Sequence, residues 1–193
     1  MLLEKLLIFL TGNHKKSLVS AQELKALSQI AVEKGVLDFS EHEMIMNILR
    51  FDDVSVKEAM TPRRRLIVVS DKVELDQVSY FMAREGHSRY PVYRGQEDNI
   101  IGFVHLIDVI RALNSNRREE KISSFIKPIL RFNSGDKITG AFKKMLAHKT
   151  HIALVYDKQK RLVGVITLED ILEELVGEIE DEHDEDDGVV IKK

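Results

Sequence analysis

Gly164-Val165-Ile166-Thr167-Leu168-Glu169-Asp170 reads as the end of a strand, a cap and the first turn of a helix, and the chain contains this junction twice. Its counterpart is Gly102-Phe103-Val104-His105-Leu106-Ile107-Asp108. A glycine inside a strand permits another backbone to come close. Thr167 stands where a helix N-cap belongs, with a hydroxyl that can bond a backbone N–H or a ligand oxygen. Asp170 falls in the first helical turn, where the positive end of the helix dipole favours the ionised carboxylate. Such a carboxylate suits the cis hydroxyl pair of a ribose, but T-x-x-D equally caps a helix with no ligand at all.

Working outward, the two junctions end two copies of one pattern. Shifting residues 86–113 by 62 positions superposes Gly102 on Gly164, Leu106 on Leu168, Asp108 on Asp170 and Leu113 on Leu175. The same shift keeps the apolar class at Tyr90/Ile152, Val92/Leu154, Ile101/Val163, Phe103/Val165, Val104/Ile166, Val109/Ile171 and Ile110/Leu172. Pro62 meets Pro128 only at a shift of 66, so a gap of about four residues lies between the two alignments. The first copy reads as a short helix Val56–Met60, Thr61-Pro62, and an extended run Leu66–Val69. A helix capped by Asp71 and stopped by Gly86 follows, then strands Arg89–Tyr93 and Ile100–Val104 and a helix Leu106–Leu113. The second runs in the same order: Ile122–Ile126, Lys127-Pro128, Ile129–Phe132, and a helix capped by Asp136. It closes with strands His151–Tyr156 and Leu162–Ile166 and a helix Leu168–Val176. Each copy of about 60 residues is small for a core of its own, so the two are expected to bury a shared sheet surface.

Before the repeat, Ser20-Ala21-Gln22-Glu23 and Ser40-Glu41-His42-Glu43 carry capping-box patterns that open two helices, the first stopped by Gly35. Met1–Leu10 (MLLEKLLIFL) is too short to cross a bilayer and lacks the flanks of a signal peptide. It reads either as an amphipathic helix on the body or as the cytosolic end of something upstream.

The chain has 193 residues, 44% apolar and 32% charged, a globular composition. It has no cysteine, which excludes a disulfide framework, a thiolate metal site and a thiol nucleophile. The net charge of −3 conceals a split: residues 178–187 (EIEDEHDEDD) hold eight of the 32 acids and no Lys or Arg. What remains carries 29 basic against 24 acidic residues, compatible with an anionic ligand and too weak for nucleic acid. The acidic run reads as a solvated linker or, alternatively, as a divalent-cation site. No G-x-G, no phosphate loop, no G-x-S-x-G elbow and no H-E-x-x-H appears, so ordinary hydrolase, oxidoreductase and zinc chemistry are disfavoured.

The duplicated G-h-h-[TS]-x-x-D junction resembles a pair of cystathionine-β-synthase (CBS) domains, an adenosine-nucleotide-binding regulatory module. Ala59-Met60-Thr61-Pro62-Arg63, Gly86-His87-Ser88-Arg89-Tyr90-Pro91-Val92-Tyr93 and Thr167–Ile179 (TLEDILEELVGEI) narrow the resemblance. They are similar to the cytosolic part of hemolysin-C/CorC-like membrane proteins, relatives of the cyclin M magnesium transporters. The resemblance implies an α/β fold (α+β on some definitions), a tandem CBS pair with pseudo-twofold symmetry preceded by a short helical linker. It implies boundaries at 1–52 for the linker region, 53–116 and 117–177 for the two CBS domains, and 178–193 for an acidic tail leading to a further domain. Family members carry a membrane domain before the linker, so the chain is expected to be part of a longer membrane protein, at the cytoplasmic face and soluble by itself.

Carried over residue by residue, the resemblance places one adenosine nucleotide (ATP, ADP or AMP), with Mg²⁺ on its phosphates, between the copies. Thr167 and Asp170 would hold the ribose. Thr61 and the strand Ser88-Arg89-Tyr90-Pro91 would flank adenine and phosphates, with Arg89 as the phosphate ligand, since a guanidinium offers paired donors. Arg63, Arg64 and Arg65 add positive charge or form a solvated turn. His105 replaces Thr or Ser in the first copy, which puts a second site at Asp108 in doubt. The function implied is non-catalytic: nucleotide-dependent control of an attached Mg/Co transport domain. The alternative is a constitutive homodimerisation module with a vestigial pocket, its interface supplied by Leu106–Leu113 and Leu168–Val176.

Overall fold

The computed structural model describes residues 20–115 and 117–177, so the Met1–Leu10 and 178–193 readings lie outside the described residues. The described chain divides into two compact units between Leu49 and Arg50. In the first, α1 (Ala21–Glu33) starts on the expected capping box. Ser20 Oγ accepts from Glu23 N–H at 3.2 Å, and the Glu23 carboxylate accepts from Ser20 N–H. Gly35 ends the helix with φ 68°, a left-handed turn for which glycine carries no Cβ penalty. The box opening α2 (Phe39–Arg50) is two residues earlier than expected. Asp38 Oδ1 accepts from Glu41 N–H at 2.8 Å and Asp38 N–H donates to Glu41 at 2.9 Å, while Ser40 only donates to Asp38. The helix begins at Phe39, so Asp38 stands at the N-cap and its carboxylate meets the free N–H, while Ser40 already lies in the first turn.

The second unit holds both copies. In the first, β2 (Val69–Ser70) lies parallel to β3 (Arg89–Tyr93), which pairs antiparallel with β4 (Ile100–His105). Helices α4 (Leu75–Glu85) and α5 (Leu106–Asn114) pack on this sheet through Leu75, Val78, Met82 and Val109. In the second, β5 (Leu130–Asn133), β6 (Ile152–Tyr156) and β7 (Leu162–Thr167) repeat the arrangement, with α6 (Ile138–Ala147) and α7 (Leu168–Val176). The expected caps Asp71 and Asp136 fall short of the helices, whose N-caps are Glu74 and Lys137. Asp71 instead pairs with Arg94 at 2.6 Å and Asp136 accepts from Asn133 N–H at 2.9 Å, each fixing the preceding turn.

The register refines the repeat. Gly102 and Gly164 sit opposite Val92 and Val155, so β3 matches β6 at a shift of 63, not 62. Tyr90 therefore corresponds to Ala153 and Arg89 to Ile152, a one-residue slip that the apolar pattern conceals, since Ile152, Ala153, Leu154 and Val155 are all buried.

The two copies exchange their leading segments. β1 (Thr61–Pro62) leaves the first copy and pairs antiparallel with β7 of the second, Thr61 opposite Val165. Lys127 pairs in the same sense with Phe103 of the first copy. Ahead of these strands, Val56 in the short helix α3 (Val56–Ala59) donates to Asp136 O at 2.9 Å, and Ile122 donates to Val73 O at 3.1 Å. Val56 and Ile122 are fully buried, one in the second copy's core and one in the first's. Each such burial contributes roughly 1.5–3 kcal/mol. Between the sheets Ile100, Phe103, Ile152, Leu154, Leu162 and Val165 form a third cluster, the shared surface the repeat length called for. The copies are thus interlocked, and a junction of one faces a strand of the other.

Candidate functional site

Each glycine of the duplicated junction is explained by this exchange. A Cβ on Gly164 would sit closer than 3.0 Å to the Thr61 carbonyl oxygen and 3.2 Å from Met60 Sδ. A Cβ on Gly102 would collide in the same way with Lys127 O and Ile126 Cγ2. The close approach expected from sequence is therefore made by the crossing strand of the other copy, which brings Thr61 beside Val165 and Thr167.

Around that crossing the copies enclose a cavity of about 370 Å³. Of the residues singled out in the sequence, Thr61, Ser88, Arg89, Pro91, Thr167 and Asp170 line it together. Tyr90 does not. Strand alternation turns its side chain to the opposite face, where it is fully buried, accepts from His87 N–H at 3.1 Å and donates its hydroxyl to Met82 O at 2.7 Å. Burial pushes its phenol above the ordinary value. Tyr90 is a core residue that holds the end of α4 against β3.

Thr167 and Asp170 form a reciprocal cap. Thr167 Oγ1 accepts from Asp170 N–H at 3.0 Å, and Asp170 Oδ2 accepts from Thr167 N–H at 2.8 Å. The helix-terminus argument predicts a carboxylate held ionised, but burial dominates and raises the Asp170 pKa, the bonds from Thr167 opposing it. The cap engages Oδ2, and a carboxylate carries a second oxygen able to accept from ligand hydroxyls. Arg89 reaches across the cavity, its Nη1 3.7 Å from Glu169 Oε1, and His151 Nδ1 lies 3.9 Å from the same oxygen. The basic turn divides its labour: Arg63 binds Glu97 at 3.1 Å and Asp98 at 2.6 Å, while Arg65 lines the cavity.

Several lining residues were not legible beforehand. Glu169 adjoins Asp170 in the quoted junction and could have been found from its helical position. Ile152, Leu66 and Ile67 line the cavity only because strands of different copies meet there, and no local signal marks them. The arrangement offers an apolar wall, a carboxylate, a hydroxyl and guanidinium groups within a volume typical of small-molecule sites. It presents no nucleophile paired with a base. Among the described residues, no helix is long and apolar enough to cross a membrane.

The pseudo-equivalent place in the first copy is built differently. His105 caps α5 by accepting from Ile107 N–H at 3.3 Å, and Asp108 Oδ2 pairs with Lys127 Nζ at 2.6 Å. Asp108 and Lys127 line a separate cavity of about 410 Å³, with Arg111, Arg117 and Phe125.

Comparison with known proteins agrees with this architecture. The CBS domain pattern matches residues 56–115 and 122–177. The magnesium and cobalt efflux protein CorC of Pasteurella multocida (strain Pm70) is 30% identical over 176 residues, 91% of this chain and 59% of the relative. The chain spans about two fifths to three fifths of the length of the curated relatives it matches. Among solved structures, the CBS domain of a bacterial CNNM/CorC family Mg²⁺ transporter superposes with a TM-score of 0.77 at 32% identity, covering 85% of this chain and all of that one. A structure of such a domain in complex with ATP superposes at 0.68 and 31% identity, covering 72% and 99%. The duplicated junctions, the exchanged strands and these likenesses together make the chain a member of the CBS domain family, a tandem pair of the CNNM/CorC and hemolysin-C kind.

Proposed function

We propose that the chain is the nucleotide-responsive regulatory part of a longer membrane protein that moves divalent cations such as Mg²⁺ or Co²⁺, acting at the cytoplasmic face. An adenosine nucleotide occupies the cavity between the copies. Asp170 and Thr167 receive the ribose hydroxyls, Arg89 receives phosphate, and Thr61, Ser88 and Pro91 flank the base and phosphate chain, with Mg²⁺ offsetting phosphate charge. What carries the reading is that six residues from two copies converge on one cavity containing both a carboxylate and a guanidinium. The ATP complex of a CNNM/CorC-family CBS domain supports the choice of ligand. On this reading residues 53–116 and 117–177 are the two CBS domains, 1–52 the linker region and 178–193 the approach to a further domain.

The module works by binding, without a covalent step. A nucleotide shifts the equilibrium between two arrangements of the copies only by its differential affinity for them. A second copy of the chain docks on α5 and α7, where Ile107, Ile110, Leu172 and Val176 are 38–46% exposed. Calorimetry with ATP, ADP and AMP, with and without Mg²⁺, tests the site. Loss of a charge-assisted hydrogen bond is worth roughly 1.5–3 kcal/mol, so Asp170→Ala weakens binding about tenfold or more. Unchanged affinity refutes the assigned site.

The second reading is a constitutive homodimer with a vestigial pocket. The observation in its favour is that Thr167 and Asp170 satisfy one another without a ligand. A concentration-dependent dimer in ultracentrifugation, with no heat from any nucleotide, would select it.

A further inference from the structure

We infer that Lys127, by pairing with Asp108, withholds the first copy's carboxylate from ligand hydroxyls and limits the module to one nucleotide per chain. This rests on the nucleotide reading of the Asp170 cavity and deepens it. The interlocked strands put Lys127 where Thr61 stands in the other copy: Lys127 N–H donates to Phe103 O at 2.8 Å and Phe103 N–H donates back at 3.0 Å. Thr61 opposite Val165 is the matching pair. From that point the Lys127 side chain reaches Asp108, the counterpart of Asp170, and places Nζ 2.6 Å from Oδ2.

The cap explains why the carboxylate is available to the lysine. Thr167 binds the N–H of Asp170, and Asp170 answers through Oδ2. His105 spends its Nδ1 on Ile107 N–H, one residue earlier in the helix, and Asp108 Oδ2 is turned over to the ammonium. Where the second copy offers a carboxylate to ligand hydroxyls, the first presents an internal ion pair. Arg89 has Ile152 as its counterpart in the second copy, so the first copy's junction lacks a strand guanidinium in that place, and Asp108 is held by Lys127 at 2.6 Å and Arg111 at 3.8 Å.

Equilibrium dialysis and calorimetry with AMP decide the matter on the whole chain. The wild type is expected to bind one AMP, and the His105→Thr/Lys127→Thr variant two, returning to one when Asp108→Ala is added. A folded double variant that still binds one AMP overturns the inference, as does a wild type that binds two and loses one on Asp108→Ala. A wild type that binds no AMP refutes the nucleotide reading instead, and the inference then stands or falls on whether the double variant gains a single site. If thermal melting shows the double variant unfolded, Lys127→Gln is used in its place. It keeps the backbone pairing and most of the stem while removing the ammonium, and an unchanged capacity there overturns the inference equally.

Discussion

The two strand–helix junctions share a backbone and part company in their side chains. Both place a glycine under a crossing strand, both start a nine-residue helix, and both set an aspartate in its first turn. At Thr167 the cap and the aspartate close on each other beside an open cavity. At His105 the cap binds elsewhere and the aspartate is neutralised by Lys127. Duplication preserves what the shared core requires, while positions that face only the cleft are free to diverge, so one backbone carries two different side-chain pairings.

The largest expected effects test the part that is symmetric. Gly164→Ala and Gly102→Ala each force a methyl into a crossing backbone, and overpacking of this kind costs about 1–3 kcal/mol, occasionally more. Urea denaturation should show similar losses for both, and a large loss in one alone would break the equivalence of the crossings. Next comes ligand affinity, where the copies should differ. Asp170→Ala lowers nucleotide affinity about tenfold or more, whereas Asp108→Ala leaves it within about twofold. Equal losses would show that both carboxylates serve one ligand.

Tyr90→Phe sharpens the contrast between β3 and β6, since the counterpart of Tyr90 in the second copy is Ala153. Removing the hydroxyl bond to Met82 O should cost about 1 kcal/mol in thermal denaturation with nucleotide affinity unchanged. An affinity loss with unchanged stability would return Tyr90 to the site.

The smallest effect is in pH dependence, and its sign differs between copies. His105 is held below its ordinary value of 6.5, by burial first and then by Arg89, with Asp108 opposing. The folded state therefore resists protonation, and its stabilising contribution, complete above 6.5, is lost as pH falls toward the folded value. Asp170 is raised above 3.8 by burial. Its contribution is complete below 3.8 and is lost as pH rises through the raised value. His105→Thr should flatten the fall in urea midpoint between about pH 7 and pH 5, and Asp170→Asn should flatten the loss that sets in as pH rises above 3.8. A midpoint slope untouched by His105→Thr would remove the histidine from the comparison.

Much of this was legible locally. The Ser20 box, the Gly35 and Gly86 stops, the apolar runs of β3, β4, β6 and β7, and the Thr167-to-Asp170 spacing are short-range patterns governed by helix and strand periods. The misreadings are instructive for the same reason. Asp71 and Asp136 look like caps because caps and turns favour the same residues, and which turn receives the carboxylate depends on neighbours such as Arg94. Tyr90 adjoins Arg89 in one motif and so looks like part of the same site, yet a strand sends neighbours to opposite faces.

The sequence by itself determined the duplicated α/β unit, the junction residues and the helical segment ahead of them, because periodicity, capping and glycine placement act within a few residues of chain. Only the tertiary structure decided that the copies trade their leading segments and that Ile152 and Glu169 share a cavity with Arg89. It alone brought Lys127 to Asp108. Those outcomes depend on contacts between residues distant in sequence. Buried Val56 joins a core built mainly of residues from Phe132 to Ile171, Ile122 joins the core of the copy before it, and no local pattern records which copy a crossing strand will join.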